Sequence, residues 1–492
     1  MAEVKFAKAV NRDRKAALAA STLLLTQQQG YLEAEEGELT CKLTQERLKP
    51  LLPAYNTALM YDLALPFGPY CMDYTRNGAN LVIAGRQGHI ALLQWKKHKL
   101  MTEINVKETV KDVKFLHNEL LFAVAQRKGV FIYDNQGIEV HCLSRHIDPK
   151  RLEFLPYHFL LVSANDYGFL KYLDVSTGRQ VVEHKWNFQS IGDMKQNPWN
   201  AVMCVGDGRG VVSMWSPSTG KPLMRMVTHN GPVLGLAIDQ RGLYMATAGS
   251  DTLLKIWDIR NPADPLFEYR TSSPASSLSM SQTGLLSVSN ATQVTIYKDW
   301  HVEKQRLPYM RHSTQSAIHD ISFVPLEDFL GIGVESGFSS ISVPGSGWAN
   351  FDSYEANPFQ TKKQRQEQEV HLLLEKLRPD TIMLNPHEIG IMDKAAPEVI
   401  QKEALEEKAA AQAASKPAKK RKREEEVLKK HKTSVHDKKT RLKIQEAREA
   451  LVKPRVDEVD RVAKEMDLLV SETAQLGTLT GLISKRKKIE GK

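Results

Sequence analysis

Cysteine is scarce in this chain, which has four among its 492 residues: Cys41, Cys71, Cys142 and Cys204. None of them forms a CxxC pair, so their spacing indicates neither a zinc site nor a disulfide framework, and a reducing compartment fits. Long apolar runs are also lacking, since none approaches the ~20 residues of a membrane-spanning helix. The apolar stretch 16–25 is followed by polar residues without the small-residue cleavage pattern of a signal peptide. We therefore expect neither secretion nor a membrane segment.

Motifs for catalysis are lacking as well. The stretch 206–210 (GDGRG) has glycines like those of a phosphate-binding loop, but no Lys-Ser/Thr follows them, and the pattern predicts a turn between two strands. The stretch 345–347 (GSG) lacks the GxSxG register of a nucleophile elbow. The chain contains no HExxH motif and no paired Cys/His ligand set. We predict that it is not an enzyme, takes no small-molecule substrate and requires neither a cofactor nor a metal.

What the chain does contain is positive charge, and most of it lies at one end. The net charge is +9, and residues 361–492 contain 31 Lys and Arg against 23 Asp and Glu. Residues 416–443 alone contain 13 basic residues against 4 acidic ones. A near-neutral body with a cationic tail is typical of a protein whose tail meets a polyanion such as RNA, DNA or an acidic protein surface. A solvated charge run or a nuclear import signal is the alternative interpretation.

The middle of the chain contains an internal repeat. From about residue 68, short β-rich runs are separated by Gly, Asn and Asp, and each unit ends in an aromatic or apolar residue. These ends are Trp95, Tyr133, Leu173, Trp215, Trp257, Tyr297 and Val343, with spacings between 38 and 46 residues. Four-stranded propeller blades repeat at about this period, and a closed ring of blades buries sheet faces that a single sheet would expose. The repeat predicts an all-β fold, a seven-bladed WD-repeat β-propeller with N- and C-terminal α-helical extensions.

The clearest repeat, residues 229–258, predicts a polar network inside one blade. Its residues His229, Thr247, Asp251 and Trp257 occupy the positions of the hydrogen-bonded His–Ser/Thr–Asp–Trp set of WD repeats. Such a set satisfies buried polar groups and stabilises the blade, so we interpret it as structural rather than catalytic. The run 57–65 is a candidate for the strand that closes the seventh blade.

Helical patterns flank the repeats. Residues 1–29 are rich in Ala, Leu, Lys and Gln and read as one helix. Asn357 and Pro358 resemble a helix start, and an apolar stripe follows that we predict to bind the propeller or a partner protein: Val370, Leu373, Leu374 and Leu377. The expected organisation is an N-terminal helical extension over 1–53, the propeller over 54–350, a segment with an amphipathic helix over 351–394, and a basic helical or disordered tail over 395–492.

Several strings are more specific than a generic propeller. YTRNG (74–78), GFSSI (337–341), VPGSG (343–347) and NFDS (350–353) lie in segments that closely resemble the BING4-type WD-repeat proteins, a component of the small-subunit processome that assembles on precursor ribosomal RNA. The resemblance extends from about residue 30 to about residue 386. One departure is GWAN at 347–350, where the family usually has GEPN, and the Lys-rich tail matches only in general character.

This resemblance implies a non-catalytic scaffold in the nucleus and nucleolus. The implied partners are pre-rRNA, a box C/D small nucleolar ribonucleoprotein and other processome proteins, WD-repeat factors among them, with a role in early cleavages and 18S rRNA maturation for the 40S subunit. A WD-repeat adaptor of another nuclear complex, such as a ubiquitin-ligase substrate receptor or a chromatin subunit, is the alternative. An enzyme using the central channel would require converging acid, base or metal groups that the sequence does not offer.

Within this hypothesis, the tail neutralises RNA phosphates, and its affinity for RNA falls with salt. The candidate RNA-binding residues are Lys416, Lys419, Lys420, Arg421, Lys422, Arg423, Lys429, Lys430, Lys438, Lys439, Arg441, Lys485, Arg486, Lys487 and Lys488.

Overall fold

A computed structural model describes Val10 and residues 12–17, 29–33, 38–185 and 190–385. Seven antiparallel sheets of four strands account for its β structure. The inner strands of successive sheets lie beside one another, and that of the seventh lies beside that of the first. The sheets are therefore the blades of a closed ring, and the predicted seven-bladed propeller is confirmed.

In blades 1–6, the four strands follow one another along the chain from the inner to the outer edge. Blade 1 contains β2 (Tyr70–Tyr74), β3 (Leu81–Gly85), β4 (His89–Gln94) and β5 (Lys99–Asn105). Blade 2 contains β6 (Val110–Phe115), β7 (Leu121–Gln126), β8 (Val130–Asp134) and β9 (Glu139–Leu143). Blade 3 contains β10 (Pro149–Leu155), β11 (Leu160–Asn165), β12 (Phe169–Asp174) and β13 (Arg179–Lys185).

The later blades repeat this order. Blade 4 contains β14 (Ile191–Gln196), β15 (Met203–Asp207), β16 (Val211–Trp215) and β17 (Met224–Val227). Blade 5 contains β18 (Val233–Ile238), β19 (Tyr244–Gly249), β20 (Leu253–Asp258) and β21 (Phe267–Arg270). Blade 6 contains β22 (Ala275–Met280), β23 (Leu286–Asn290), β24 (Gln293–Tyr297) and β25 (Met310–Ser313).

Blade 7 is assembled from both ends of the β region. Its three inner strands are β26 (Ile318–Phe323), β27 (Phe329–Val334) and β28 (Gly337–Ser342). Its outer strand is β1 (Asp62–Ala64), which pairs antiparallel with β28 and aligns Leu63 with Phe338. A Cβ at Gly337 would lie 1.9 Å from the carbonyl oxygen of Leu63, so only glycine allows β1 to approach this closely. The predicted closing strand within 57–65 is confirmed.

The helices are short. They are α1 (Gln45–Leu48), α2 (Ala54–Ala58) and α3 (Lys362–Leu374), with 3₁₀ turns at Thr40–Lys42, Lys49–Leu51, Trp95–Lys97 and Pro379–Thr381. A further helical stretch comprises Val10 and residues 12–17, in agreement with part of the helix predicted over 1–29. The other described residue of that range, Gln29, is not helical, so the predicted end of the helix is wrong. None of the described helices is long and apolar enough to cross a bilayer.

The predicted start of the last helix is wrong. Thr361, not Asn357, is the N-cap of α3: its hydroxyl accepts the backbone N–H of Gln364, and the Gln364 side chain accepts the backbone N–H of Thr361. This reciprocal capping box satisfies two backbone donors at once, which a single Asn cap at position 357 would not. The Asn357 side chain accepts the backbone N–H of Phe359 in a local turn instead. Leu377 lies beyond the helix end.

The apolar core lies between the blades, and both flanking segments contribute to it. Leu48 of α1 is 2% exposed and packs with apolar side chains of blades 6 and 7. Ile382, close to the end of the described chain, is 1% exposed and belongs to the cluster formed by blades 3, 4 and 5. The flanking segments therefore bury apolar side chains in the same core as the propeller strands.

Candidate interaction surfaces and polar networks

The predicted blade network is complete in blade 5. Trp257 Nε1 donates to Thr247 Oγ1 at 3.1 Å, Thr247 Oγ1 lies 2.8 Å from His229 Nε2, and His229 Nδ1 lies 3.1 Å from Asp251 Oδ1. Every polar group is satisfied if Thr247 donates to Nε2 and the Nδ1–H donates to Asp251. Burial lowers the pKa of His229, which favours this neutral form.

The burial of this network determines what it can do chemically. The His229 side chain has no exposed surface, and Thr247 is 0% exposed. A nucleophilic hydroxyl must reach a substrate, and this one is enclosed by its own blade while it accepts the indole N–H of Trp257. The geometry therefore fits stabilisation of the blade and does not fit nucleophilic catalysis.

A partial copy of the network lies in blade 3 and was not predicted. His146 Nδ1 is 2.6 Å from Ser163 Oγ, and both side chains are buried. Burial, together with the nearby charge of Lys171, lowers the pKa of His146 to about 4. His146 precedes Ser163 by 17 residues, while His229 precedes Thr247 by 18, so this near-constant spacing was the sequence pattern that could have revealed it.

Carboxylates link neighbouring inner strands around the ring, a feature that the sequence interpretation also missed. Each of four aspartates accepts the backbone N–H of a residue in the next blade. The donor and acceptor pairs are Phe115 with Asp73 (2.8 Å), Leu152 with Asp112 (2.8 Å), Leu236 with Asp193 (3.0 Å) and Met72 with Asp320 (3.1 Å). Three of these aspartates lie in the same local pattern, VKDV, IGDM and IHDI, so the repeat alignment contains their signature.

Cations compensate some of these buried carboxylates. Lys114 Nζ lies 3.1 Å from Asp73 Oδ1 and 3.3 Å from Glu153 Oε2, and Arg151 Nε lies 3.4 Å from Asp193 Oδ1. Burial raises the pKa of Asp112 to about 6, although Arg151 opposes that shift. Burial would lower the pKa of Lys114, but Asp73 and Glu153 raise it above its ordinary value. The inner strands of blades 1–4 thus contain a connected ionic cluster.

The two faces of the ring differ in what covers them. We letter the strands of each blade a to d from the inner to the outer edge. The face with the turns between strands a and b, and between strands c and d, is called the a–b face. The face with the turns between second and third strands, and with the connections between blades, is the b–c face. Residues 350–385, the C-terminal segment, contact the a–b face of blades 1–4.

The predicted turn at 206–210 spans the b–c turn of blade 4, where Gly210 has a φ of +80°.

Hydrogen bonds and ion pairs position the first half of the C-terminal segment. Glu355 accepts from Arg76 of blade 1 and from Tyr157 of blade 3, both at 2.6 Å. On α3, Arg365 lies 2.5 Å from Glu119 of blade 2, and Glu369 lies 3.1 Å from His117. Polar side chains of α3 therefore contribute to its contact with the propeller.

The second half of the segment contacts blades 3 and 4. Lys376 donates to Asp174 and Ser176, and Thr381 Oγ1 lies 3.1 Å from His158 Nε2. The carbonyl of Ile382 accepts from Ser216 at 2.6 Å, and the carbonyl of Leu384 accepts from Asn200 at 3.1 Å. The segment is anchored on successive blades rather than at one point.

The predicted apolar stripe of α3 faces away from these contacts. Val370 is 56% exposed and Leu374 is 78% exposed, and the structure also leaves Leu373 and Leu377 exposed. Leu372 is the apolar side chain of this helix that packs against the propeller, in the cluster of blades 2 and 3. The stripe is therefore not the surface by which α3 binds its own propeller.

The N-terminal segment, of which the structure describes residues 29–33 and 38–52, contacts blades 6 and 7. The Gln45 side chain donates to the carbonyl of Ser342 and accepts its backbone N–H, so it pairs with the end of β28 much as another strand would. The backbone N–H of Leu32 donates to the hydroxyl of Tyr309, and burial raises the pKa of that phenol to about 12.

A cavity of about 970 Å³ opens on the a–b face. Side chains from several blades and from the C-terminal segment line it, with His158, Trp199, Arg241 and Glu355 among the polar and aromatic ones. In the part of the chain that the structure describes, no group of three His, Cys, Asp or Glu residues could hold a metal ion.

The candidate RNA-binding residues of 416–443 and 485–488 lie outside the described residues.

Residues 308–385 match the family model described as the BING4CT (NUC141) domain. In the structure this stretch comprises β25, the three inner strands of blade 7 and the C-terminal segment. The family model therefore covers the closure of the ring and the segment that crosses the a–b face. It does not correspond to a separate globular unit.

Relatives resemble a much longer part of the chain. U3 small nucleolar RNA-associated protein 7 of Saccharomyces cerevisiae is 44% identical over 399 residues, which is 77% of this chain and 72% of the relative. WD repeat-containing protein 46 of Homo sapiens is 42% identical over 407 residues, 82% of this chain and 67% of the relative. The protein of that name in Caenorhabditis elegans is 41% identical over 75% of this chain and 64% of its own length. Fold, matched domain and identity together place this chain in the BING4-type family of WD-repeat proteins.

Proposed function

We propose that this chain is a non-catalytic scaffold of the small-subunit processome, needed for early pre-rRNA processing and 18S rRNA maturation in 40S subunit biogenesis. The observation that carries the proposal is the 44% identity, over 77% of the chain, to a protein named for its association with U3 small nucleolar RNA. On this proposal the chain acts in the nucleolus. Its partners are pre-rRNA, a box C/D small nucleolar ribonucleoprotein and other processome proteins, including WD-repeat factors.

The polar networks support a scaffold rather than an enzyme. The His229–Thr247–Asp251 set, which resembles a catalytic triad, is enclosed in blade 5. The inner-strand carboxylates accept backbone N–H groups of neighbouring blades, so they are engaged in holding the ring together. A ring stiffened in this way presents loops in fixed positions, which is the property that a binding platform requires.

The outward stripe of α3 is the proposed protein-binding surface. A helix that only had to bind its propeller would turn its apolar side inward, but α3 exposes Val370, Leu373 and Leu374 and turns Arg365 and Glu369 inward, and Leu377 is exposed just beyond its end. An amphipathic helix of another assembly protein would cover such a stripe at the i, i+3, i+4, i+7 positions. The charged residues of the partner helix would lie on either side of the stripe.

The basic tail is the proposed RNA-binding element. Its Lys and Arg side chains, over 416–443 and 485–488, would neutralise phosphates without reading bases. A truncation must respect the docking of the C-terminal segment: a cut after Arg378 would also remove Ile382, which is 1% exposed. A cut after Asn385 removes the tail and leaves every described contact of the segment in place.

The scaffold role is tested by depletion and replacement. Cells lacking the protein should lose 18S rRNA while retaining the large-subunit rRNAs, and the full chain should restore it. Replacement with the chain cut after Asn385 should reduce RNA crosslinking to the protein, while Leu373→Ser with Leu374→Ser should reduce recovery of protein partners. Lys362→Ser with Lys363→Ser, on the exposed start of α3, is the matched control.

Three outcomes would overturn the proposal. Normal 18S rRNA after depletion would exclude the processome role. Unchanged particle association and RNA crosslinking after the cut at Asn385 would exclude the role of the tail. Purification with cullin-linked or chromatin proteins, instead of pre-rRNA and nucleolar proteins, would favour an adaptor of another nuclear complex.

A further inference from the structure

The b–c face carries an uneven distribution of charge. In blades 1–4, its turns and the connections that follow these blades contain six basic residues: Arg86, Lys107, Arg127, Lys128, Arg145 and Arg209. They contain three acidic residues: Glu108, Asp148 and Asp166. The corresponding turns and connections of blades 5–7 contain no Lys or Arg and two acidic residues, Asp251 and Glu335. The positive charge of this face therefore lies on blades 1–4.

All three acidic residues of the basic half are already neutralised. Glu108 pairs with Lys128, Asp148 with Lys111 at 2.6 Å, and Asp166 with Lys150 at 3.1 Å. Five exposed cations remain that have no ion-pair partner among the described residues: Arg86, Lys107, Arg127, Arg145 and Arg209. Charges left in this way on one half of a face create a positive potential that attracts a polyanion.

An exposed aromatic ring lies among these cations. Tyr167 is at the tip of the b–c turn of blade 3 and is 66% exposed. The equivalent b–c turn of the preceding blade contains Arg127, and that of the following blade contains Arg209. Tyr167 has no hydrogen-bond partner in the described part of the chain. Arginines that can contact phosphates, on both sides of a ring on which a base can stack, are typical of single-stranded RNA binding.

We infer that the b–c face of blades 1–4 is a contact surface for single-stranded RNA. Arg86, Arg127 and Arg209, one from each of three blades, contact phosphates, and Tyr167 stacks on a base. This inference deepens the proposed function, because it adds an RNA contact on the propeller to the one on the tail. It depends on the proposed function only for where the RNA is encountered.

The direct test is a salt titration of RNA binding by the full chain. The variant Arg86→Ser, Arg127→Ser, Arg209→Ser is compared with the matched control Lys97→Ser, Lys221→Ser, Arg241→Ser, which removes three exposed cations from the a–b face. The probe is a fluorescently labelled uridine homopolymer, and the readout is anisotropy at increasing KCl. Loss of three phosphate contacts should reduce the log–log salt slope by about 2 and the affinity by ~10-fold or more at physiological salt. The control variant should match the wild type.

Tyr167 provides the second measurement. Tyr167→Ala should weaken binding of the single strand by about fivefold or more, while Tyr167→Phe keeps the stacking ring and should bind like the wild type. Binding to a duplex RNA should be the same for all three proteins, because paired bases do not stack on a side chain at the surface. Thermal unfolding of each variant verifies that the propeller is intact.

The inference and the proposed function fail separately. A face variant whose salt slope and affinity equal those of the control overturns the inference, even if the protein still cofractionates with pre-ribosomal particles. Loss of an acidic protein partner with unchanged RNA binding also overturns it and makes the face a protein-binding surface. If purified protein shows the expected slope change but depletion leaves 18S rRNA normal, the inference stands and the proposed function fails.

Discussion

Blades 1–4 and blades 5–7 share one strand order but differ in the polarity of their inner strands. Nine Lys, Arg, Asp or Glu residues lie in the inner strands of blades 1–4, and one, Asp320, lies in those of blades 5–7. Strands β18 and β22 contain none, yet their blades pack into the same ring. The repeat therefore does not require these charges. Because buried ion pairs are weak contributors to stability, their concentration in one half is not explained by folding alone.

The surfaces follow the same division. Blades 1–4 bind the C-terminal segment on the a–b face, and on the b–c face they carry the five cations that have no ion-pair partner in the described part of the chain. Blades 6 and 7 bind the N-terminal segment, and blade 5 contains the complete His–Thr–Asp–Trp network. The comparison indicates that blades 5–7 close the ring and bind the N-terminal segment, whereas blades 1–4 combine the ionic cluster with the surfaces on which we expect partners.

The largest effect should come from breaking the ionic cluster. Lys114→Met leaves the buried carboxylates of Asp73 and Glu153 without their shared cation and should lower the free energy of unfolding by about 3–5 kcal/mol in urea denaturation. The equivalent position of blade 6 is Ser279, where Ser279→Ala should change stability by less than about 1 kcal/mol. Adding Glu153→Leu to Lys114→Met should recover part of the loss. Equal effects at positions 114 and 279 would remove the distinction between the halves.

The largest histidine contribution to a pH dependence of stability should come from blade 3, although burial also lowers the pKa of His229, His312 and His319 in blades 5–7. Burial lowers the pKa of His146 and of His158 to about 4, so the unfolded chain binds protons that the folded chain does not as the pH falls below about 6.5. The free energy of unfolding therefore has its full value above that pH. The shift of His146 alone should lower it by about 2 kcal/mol at pH 5. Asp112 acts in the opposite direction, because its raised pKa favours the folded state as the pH falls through 6.

The measurement compares urea denaturation at pH 8 and pH 5. The variant His146→Gln with His158→Gln should lose less stability between these values than the wild type, although it is less stable at pH 8. His141→Gln, at an exposed histidine, is the control and should leave the pH dependence unchanged. An unchanged pH dependence in the double variant would show that other groups are responsible.

A smaller effect is expected within blade 5. Thr247→Val removes the hydroxyl that serves both Trp257 and His229 and should cost about 1–3 kcal/mol, because two buried polar groups lose a partner. Ser163→Ala in blade 3 removes the hydrogen-bond partner of His146 alone, so it should lower the free energy of unfolding by less. Thermal unfolding of the two variants checks the order, and a larger loss at Ser163 would contradict it.

The smallest effect should be at the partly exposed pair of Arg76 and Glu355. Arg76 also lies over the Tyr157 ring at 4.8 Å, but its side chain is 40% exposed and water screens the pair. Arg76→Ala should lower stability by less than about 1 kcal/mol in chemical denaturation, since the C-terminal segment has other anchors. A loss several times larger would mean that the segment is bound through this one contact.

The fold could be predicted from the sequence because the repeat has a regular period and because Trp95, Trp215 and Trp257 mark three of the seven third strands. The same period shows where the repeats begin, so the run 57–65 just before them could be proposed as the closing strand. The start of α3 could not, because Asn357 and Thr361 are both good caps and only the reciprocal bond with Gln364 decides between them. The inner aspartates were missed because each accepts a backbone N–H of another blade, 40 to 43 residues away for three of them and 248 residues away for Asp320.

The pairing of β1 with β28 has a consequence for synthesis on the ribosome. The outermost strand of the last blade is translated before any other strand, and its hydrogen-bonding partner is translated last. A nascent chain can complete blades 1–6 as they emerge, but β1 has no partner in the sheet until β28 leaves the exit tunnel. The propeller thus becomes a ring only once its whole β region, which ends at Ser342, has been made, so the ring can close while the rest of the 492-residue chain is still being translated.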